Sequence, residues 1–287
     1  MFKKKKNKEK ELEPQYYMSE TNMPVLNYRV YYMGKIEKIL TFLLAFAVGA
    51  AVGYLFYGGI GKDVDGNPTQ TTHILNCIVS GISGLIAAKI YMPMAVKRKI
   101  EKRQLELRLQ FRELLDTLNT SIGSGRNVTD SFKSAYDDLR LIYPDDAYII
   151  RELLVINSGL DNNIPIERLL RDFGDRSNID DISSFANIFE TSYRKGGNIK
   201  EIIDSTQQII SDKMEVELEI QTIITSSATE LNIMSVMPIA LVAMIKLMST
   251  DFAANFVTPA GIASSTIALV LIVIAYIVGK RIMNIKM

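Results

Sequence analysis

Few residues in this 287-residue chain are equipped for chemistry, and their spacing narrows what they could do. His73 and Cys77, the single histidine and single cysteine, stand four apart, so a helix would present both on one face. Two such ligands begin a zinc site, but tetrahedral zinc needs further donors, and the nearest acids, Asp63 and Asp65, lie across a loop. A lone interfacial histidine is the plainer reading. Asp137-Asp138, Asp145-Asp146 and Asp180-Asp181 could hold a hard cation, yet no stretch has EF-hand spacing, and solvated faces and helix N-termini account for such pairs. Gly196-Gly197-Asn198 resembles a phosphate cradle only superficially: there is no following Lys-Ser/Thr and no preceding strand, so it reads as a helix cap. One cysteine excludes an internal disulfide framework, and one histidine leaves the commonest general base almost absent. No catalytic constellation, cofactor motif or metal-ligand set emerges.

The elements around these residues are dominated by four apolar runs. Ile39–Ile60 and Gly66–Ala88 are 22 and 23 residues without a charge, Leu231–Ile245 is charge-free, and Phe252–Gly279 adds 28 more. A bilayer core about 30 Å thick takes roughly 20 apolar residues in a helix. The third run reaches that length if Lys246 snorkels outward through Leu247 and Met248. Residues 1–38 hold nine Lys/Arg, including Lys3–Lys6, Lys8 and Lys10, against five acids. Residues 89–104 hold six against Glu101 alone, and the tail adds Lys280, Arg281 and Lys286. The first outer loop has only Lys62, opposed by Asp63 and Asp65, and the second has Lys246 near its start and Asp251. The positive-inside rule then places both termini and the long middle segment in the cytoplasm. A cleavable signal peptide fits poorly, because the first apolar run begins 38 residues in and is too long. Gly49-x-x-x-Gly53 and Ser80-x-x-x-Gly84-x-x-x-Ala88 are small-residue stripes that let membrane helices approach closely, either within the chain or between copies.

The middle segment is polar and helix-forming. Leu107, Phe111, Leu114, Leu115, Leu118 and Ile122 make one amphipathic stripe, Gly123 and Gly125 stop it, and Asn127 caps a helix through Phe132 and Tyr136. Further helices are expected over Tyr148–Ser158, Pro165–Asp172 and Ile182–Arg194. From Asn198 a long run follows whose buried face is marked by Ile199, Ile202, Ile203, Ile209, Ile210, Met214 and Leu218. It contains no glycine as far as Met248, with Pro238 as a kink point, and at about 1.5 Å per residue it would make one helix of roughly 75 Å. At an offset of 71 residues, Thr120-Ser121…Gly125-Arg126-Asn127-Val128-Thr129-Asp130 matches Thr191-Ser192…Gly196-Gly197-Asn198-Ile199-Lys200-Glu201. Either the bundle contains two related hairpins around a middle pair, or two capped hairpins look alike by chance. The fold class is all-α: a polytopic membrane protein with four transmembrane helices and a cytoplasmic helical bundle between the two pairs. Its divisions are a basic segment 1–38, a helix pair 39–94, the bundle 95–230, a second pair 231–280 and a basic tail 281–287.

The formal charge of +1 conceals a segregation. Residues 105–230 hold 13 basic and 23 acidic side chains, whereas the juxtamembrane stretches are basic. That is a basic collar toward anionic lipid and an acidic bundle suited to a basic protein partner; nucleic acid is excluded as a partner.

The run Gln110-Phe111-Arg112-Glu113-Leu114-Leu115-Asp116-Thr117-Leu118, followed by Gly125 and Val128-Thr129-Asp130-Ser131-Phe132, resembles the first half of the type II secretion F domain. Arg194-Lys195-Gly196-Gly197-Asn198-Ile199-Lys200-Glu201-Ile202-Ile203 is similar to that family's second signature, and the acid-rich helix ending in Glu230, Met234 and Pro238 is similar too. The layout resembles the inner-membrane platform proteins of tight-adherence (Tad, Flp-type) pili, with one copy of the domain where longer relatives carry two. Ser226-Ser227-Ala228-Thr229 departs from the family's more basic pattern, and residues 1–34 match nothing. The resemblance implies a non-enzymatic platform without cofactors. Its implied partners are a cytoplasmic secretion or pilus ATPase, pilin subunits, a paired platform protein or a second copy of itself, and the lipid bilayer. Glu113, Asp116, Gly196, Gly197, Asn198, Glu201 and Glu230 are the expected partner-binding residues, and Gly49, Gly53, Ser80 and Gly84 the expected membrane-helix packing residues. A small transporter or a membrane-bound signalling component is the rival reading. A transporter should show ionisable spans and repeated membrane halves, and a signalling enzyme a nucleotide or phosphoacceptor motif.

Overall fold

The structure, a computed structural model, describes residues 13–19, 21–61 and 68–283. Lys3–Lys6, Lys8, Lys10, Lys62, Asp63, Asp65 and Lys286 lie outside the described residues, as do the side chains of Leu218 and Asp251. Two short strands, β1 (Tyr16–Met18) and β2 (Pro24–Leu26), pair antiparallel, and helices make up the rest: α1 (Lys35–Tyr57), α2 (Gln70–Gly123), α3 (Val128–Leu139), α4 (Tyr148–Asp161), α5 (Ile166–Ser177), α6 (Asp180–Arg194), α7 (Ile199–Met248), α8 (Thr250–Asn255) and α9 (Pro259–Met283). The expected all-α membrane architecture is what forms: α1, α2, α7 and α9 are each long and apolar enough to cross a bilayer. The chain divides into two compact units, one of residues up to Tyr32 with Val96–Met214, the other of Met33–Ala95 with Glu215–Met287.

The first unit is a helical bundle. Its core gathers Leu107, Phe111, Leu114, Leu115 and Leu118 of α2 against Phe132 and Leu139 of α3, Phe173 of α5, Phe185 and Phe189 of α6, and Ile203 and Ile210 of α7, all essentially buried. Phe111 is central, meeting Phe173 and Phe185 edge-on at 6.1 and 5.5 Å between ring centres. Gln110, buried beside it, points its Oε1 at the backbone N–H of Ile149 (3.0 Å), satisfying a donor in the first turn of α4 that no local cap reaches.

The 71-residue repeat extends into three dimensions. The turn N–H groups of Gly125 and Arg126 bond the carbonyls of Ile122 and Ser121, and those of Gly196 and Gly197 bond the equivalent carbonyls of Tyr193 and Ser192. Both turns place a glycine at positive φ, +92° at Gly125 and +68° at Gly196, a conformation that an L side chain resists. Core positions coincide as well: Phe111 with Ile182, Leu114 with Phe185, Leu115 with Ala186, Leu118 with Phe189, Phe132 with Ile203, and Leu139 with Ile210 are buried in both copies.

The second unit holds the apolar spans. Their outward side chains, among them Ile39, Leu43, Ile82, Ile86, Val236, Leu271 and Ile274, are more than half exposed, as a lipid-facing surface requires. Removing the central ring of the bundle should be the costliest apolar truncation there. We expect Phe111→Ala to destabilise the bundle by about 3–5 kcal/mol, read as a lowered unfolding midpoint of the full-length chain in detergent.

Candidate functional site

The two glycine turns deliver two capped helix N-termini. Asn127 accepts the N–H of Asp130 at 2.8 Å at the start of α3, and Asn198 accepts the N–H of Glu201 at 3.4 Å at the start of α7. Each asparagine also donates to the acid three residues on, at 2.7 Å to Asp130 and 3.4 Å to Glu201. The Gly196-Gly197-Asn198 turn therefore spends these donors on the two helices it joins, α6 and α7. The first turns of α7 are tied to α2: Asn119 donates to Asp204 at 2.7 Å, and Gly123 faces the Lys200 ammonium. Asp116 stands exposed on the α2 ridge and lines a shallow cleft of about 370 Å³ with Thr117, Thr120, Arg126, Ser134 and Asp138. Glu113 is half-buried beside Arg112 (2.8 Å), and its charge together with partial burial raises the Tyr143 hydroxyl above its ordinary pKa, burial being the larger cause. Glu113, Asp116 and Glu201 thus sit in the bundle, whereas Glu230 is exposed on the part of α7 that belongs to the other unit.

The paired acids acquire specific tasks. Asp181 of α6 receives Arg108 of α2 at 2.6 Å and Lys213 of α7 at 2.9 Å, one carboxylate clamping three helices. Asp145 takes Arg140 at 2.9 Å. Among the described residues no group of three or more His, Cys, Asp and Glu could hold a metal ion.

Sequence reasoning missed a buried polar centre. Arg176 of α5 forks onto Glu152 of α4 at 3.0 and 2.7 Å, binds Asp172 at 2.8 Å, and donates to the Leu26 carbonyl at 3.0 Å. Tyr28, 1% exposed, donates its hydroxyl to Glu152 at 2.9 Å, and its backbone N–H bonds the Arg176 carbonyl. Arg29 reaches the Asp175 carbonyl, and Arg103 lies over the Tyr31 ring while reaching the Val30 carbonyl. Residues 24–31, which the sequence leaves in a basic leader, are a strap on the bundle. Desolvation, then the Glu152 charge, pushes the Tyr28 hydroxyl well above its ordinary pKa. Arg176 is likewise raised, because the two carboxylates outweigh the burial that opposes its charge.

In the membrane unit the small-residue stripes meet inside one chain. A Cβ at Gly49 would collide with Ala87 and come within 2.9 Å of the Ser83 carbonyl, one at Gly53 would collide with Ser83, and one at Gly84 would meet Phe46. Ser80 lies one turn from that seam and lines a cleft of about 720 Å³ with His73, Asn76, Cys77, Tyr54 and Lys246. Lys246 reaches the C-terminal end of α1. Its ammonium donates to the Leu55 carbonyl at 2.7 Å and the Phe56 carbonyl at 3.5 Å, and rests 4.6 Å from the centre of the Phe256 ring. The last carbonyls of α1 are unmatched within their own helix and form its negative end, which favours a cation there.

With this geometry in place, comparison with known proteins is direct. Residues 114–247 match the family described as Type II secretion system (T2SS), protein F. That segment is similar to a type II secretion F domain. The matched segment runs from the second half of the α2 stripe through the bundle and along α7, taking in Asp116, Gly196, Gly197, Asn198, Glu201 and Glu230 and beginning one residue after Glu113. The strap, α1 and α9 lie outside it. No curated protein and no solved structure matches the chain.

The strap yields two expectations. Arg176→Met leaves a buried carboxylate unpaired and should cost about 3–5 kcal/mol, with part regained in the Arg176→Met/Glu152→Gln double variant, both read by unfolding of the full-length chain. Because the folded pKa of Tyr28 is raised, its contribution is whole below about pH 10 and is lost as pH rises through the folded value. An alkaline unfolding series should show the wild type losing stability more steeply there than Tyr28→Phe.

Proposed function

We propose that this F-domain membrane protein is a non-enzymatic platform of a type IV, Tad-type pilus or type II secretion-like machine. It resides in the inner (cytoplasmic) membrane with both termini in the cytoplasm. It couples a cytoplasmic assembly ATPase to extraction of pilin subunits and growth of a fibre, in company with a paired platform protein or a second copy of itself. The observation that carries this reading is the extent of the F-domain match, which includes both bundle helices and the apolar part of α7. The matched segment is therefore built to work in water and in lipid at once. Because α7 is one helix from Ile199 to Met248, a displacement of its N-terminal turns is borne by the same hydrogen-bonded rod that enters the membrane.

The acidic surface supplies the contact. Asp116 and Glu201 are exposed, Glu113 is half-exposed, and a basic partner would be drawn to them over a Debye length of about 8 Å at physiological salt. Reversing all three to lysine, none of which removes a core side chain, should reduce ATPase co-purification by about tenfold or more and abolish fibre assembly. Unchanged co-purification and assembly would remove this face from the mechanism.

A further inference from the structure

In the bundle, the two most exposed large apolar side chains among the described residues are adjacent. Leu141 is 87% and Ile142 68% exposed, in the turn between α3 and α4. Scattered exposed aliphatics are ordinary, but this pair is displayed rather than left over. Leu139 before it is fully buried, and Tyr143 and Ala147 after it pack toward the core. The backbone between is pinned: the N–H groups of Leu141, Ile142 and Tyr143 bond the carbonyls of Asp138, Leu139 and Leu139 at 3.2, 3.1 and 2.8 Å. The Arg140 to Asp145 ion pair closes the turn at 2.9 Å. Much of the ordering that binding would otherwise require is already in place.

The surroundings select the partner. Residues 137–146 carry Asp137, Asp138, Asp145 and Asp146, all exposed, against Arg140 alone. Asp138 shares its cleft with Asp116, so the turn continues the acidic ridge of α2. A bilayer surface is disfavoured, because anionic headgroups repel four carboxylates around an apolar tip. A protein pocket that is apolar inside and rimmed by Lys or Arg matches both features.

We propose that the α3–α4 turn is a docking knuckle for the assembly ATPase: Leu141 and Ile142 enter an apolar pocket on that protein, and the flanking aspartates engage its basic rim. This rests on the platform reading above and assigns that reading its apolar anchor. Such an anchor accounts for the strength of binding, whereas the rim charges govern approach and register.

The test uses the full-length chain in native membranes, co-expressed with the secretion ATPase. Leu141→Ser/Ile142→Ser should weaken ATPase retention about tenfold while leaving the chain folded, since neither side chain is in the core. A photo-crosslinking residue at position 142 should give an adduct with the ATPase that diminishes in the Asp137→Asn/Asp138→Asn/Asp146→Asn background. If the wild type holds the ATPase but the Leu141→Ser/Ile142→Ser variant holds it equally well, or if the photoadducts are only with lipid or a second copy of this chain, the knuckle assignment is overturned and the platform reading stands. If the wild type does not hold the ATPase at all, the platform reading itself falls, and the knuckle with it.

Discussion

The structure depends on the ability of one helix to change solvent without breaking. A backbone N–H or C=O left open in lipid costs several kcal/mol, so a chain that passes between water and bilayer must keep its hydrogen bonds within itself. α2 and α7 largely do this: each contributes to both compact units as one continuous helix, Gln70–Gly123 and Ile199–Met248, with the internal Pro93 and Pro238 each lacking an N–H to donate. Only the side chains register the change. Along α2 the exposed apolar residues Ile78, Ile82, Leu85, Ile86 and Ile90 give way to a single buried stripe from Leu107 to Leu118, with Glu113 and Asp116 off it. Within the bundle the two helices are joined through Asp181, whose one carboxylate holds Arg108 and Lys213.

The duplicated hairpin shows how the same local instructions reach two ends. Both copies stop a helix on a positive-φ glycine, cap the next with asparagine and bury equivalent faces. After Leu139 the first copy ends its helix, turns through Leu141 and Ile142 and starts α4, whereas after the equivalent Ile210 the second simply continues. Arg140-Leu-Ile-Tyr-Pro places a proline five residues beyond Leu139, which disfavours helical geometry at the preceding Tyr143, whereas Ser211-Asp-Lys-Met-Glu has no proline. A short difference in sequence thus separates a turn on the bundle from a rod into the membrane.

What could be read from the sequence was what local pattern encodes. The four spans follow from run length, the bundle helices from the 3.6 period, and the Asn127 and Asn198 caps from their own neighbours. What escaped was pairing across distance. Gln110 serves Ile149, Arg176 serves Glu152 and Leu26, and Lys246 serves Leu55, partners separated by 39, 24, 150 and 191 residues. The strap was hidden for a compositional reason, since the lysines of residues 1–10 dominate a segment whose consequential members are Val25 and Tyr28. Of the Ser80-Gly84-Ala88 stripe, Gly84 lies in the seam, whereas the other residues that Gly49 and Gly53 face, Ser83 and Ala87, are each one residue before a stripe position, a rotation of about 100° on a helix.

The same distinction sorts the acids of the bundle. Counted as charge, residues 105–230 are uniformly acidic, which invites a single explanation. In three dimensions the carboxylates divide. Glu152, Asp172, Asp181, Glu167 and Glu190 are engaged with arginines or lysines of neighbouring turns and helices, and their charge is consumed in holding the bundle together. Asp116, Asp137, Asp138, Asp146 and Glu201 stand at the surface along α2, the α3–α4 turn and the first turn of α7. A clamped carboxylate close to its cation projects little field beyond the pair, while exposed carboxylates on neighbouring turns sum their potentials over about a Debye length. Asp116 and Asp138 share one cleft, and beside it stands a pinned turn that offers adjacent aliphatic side chains.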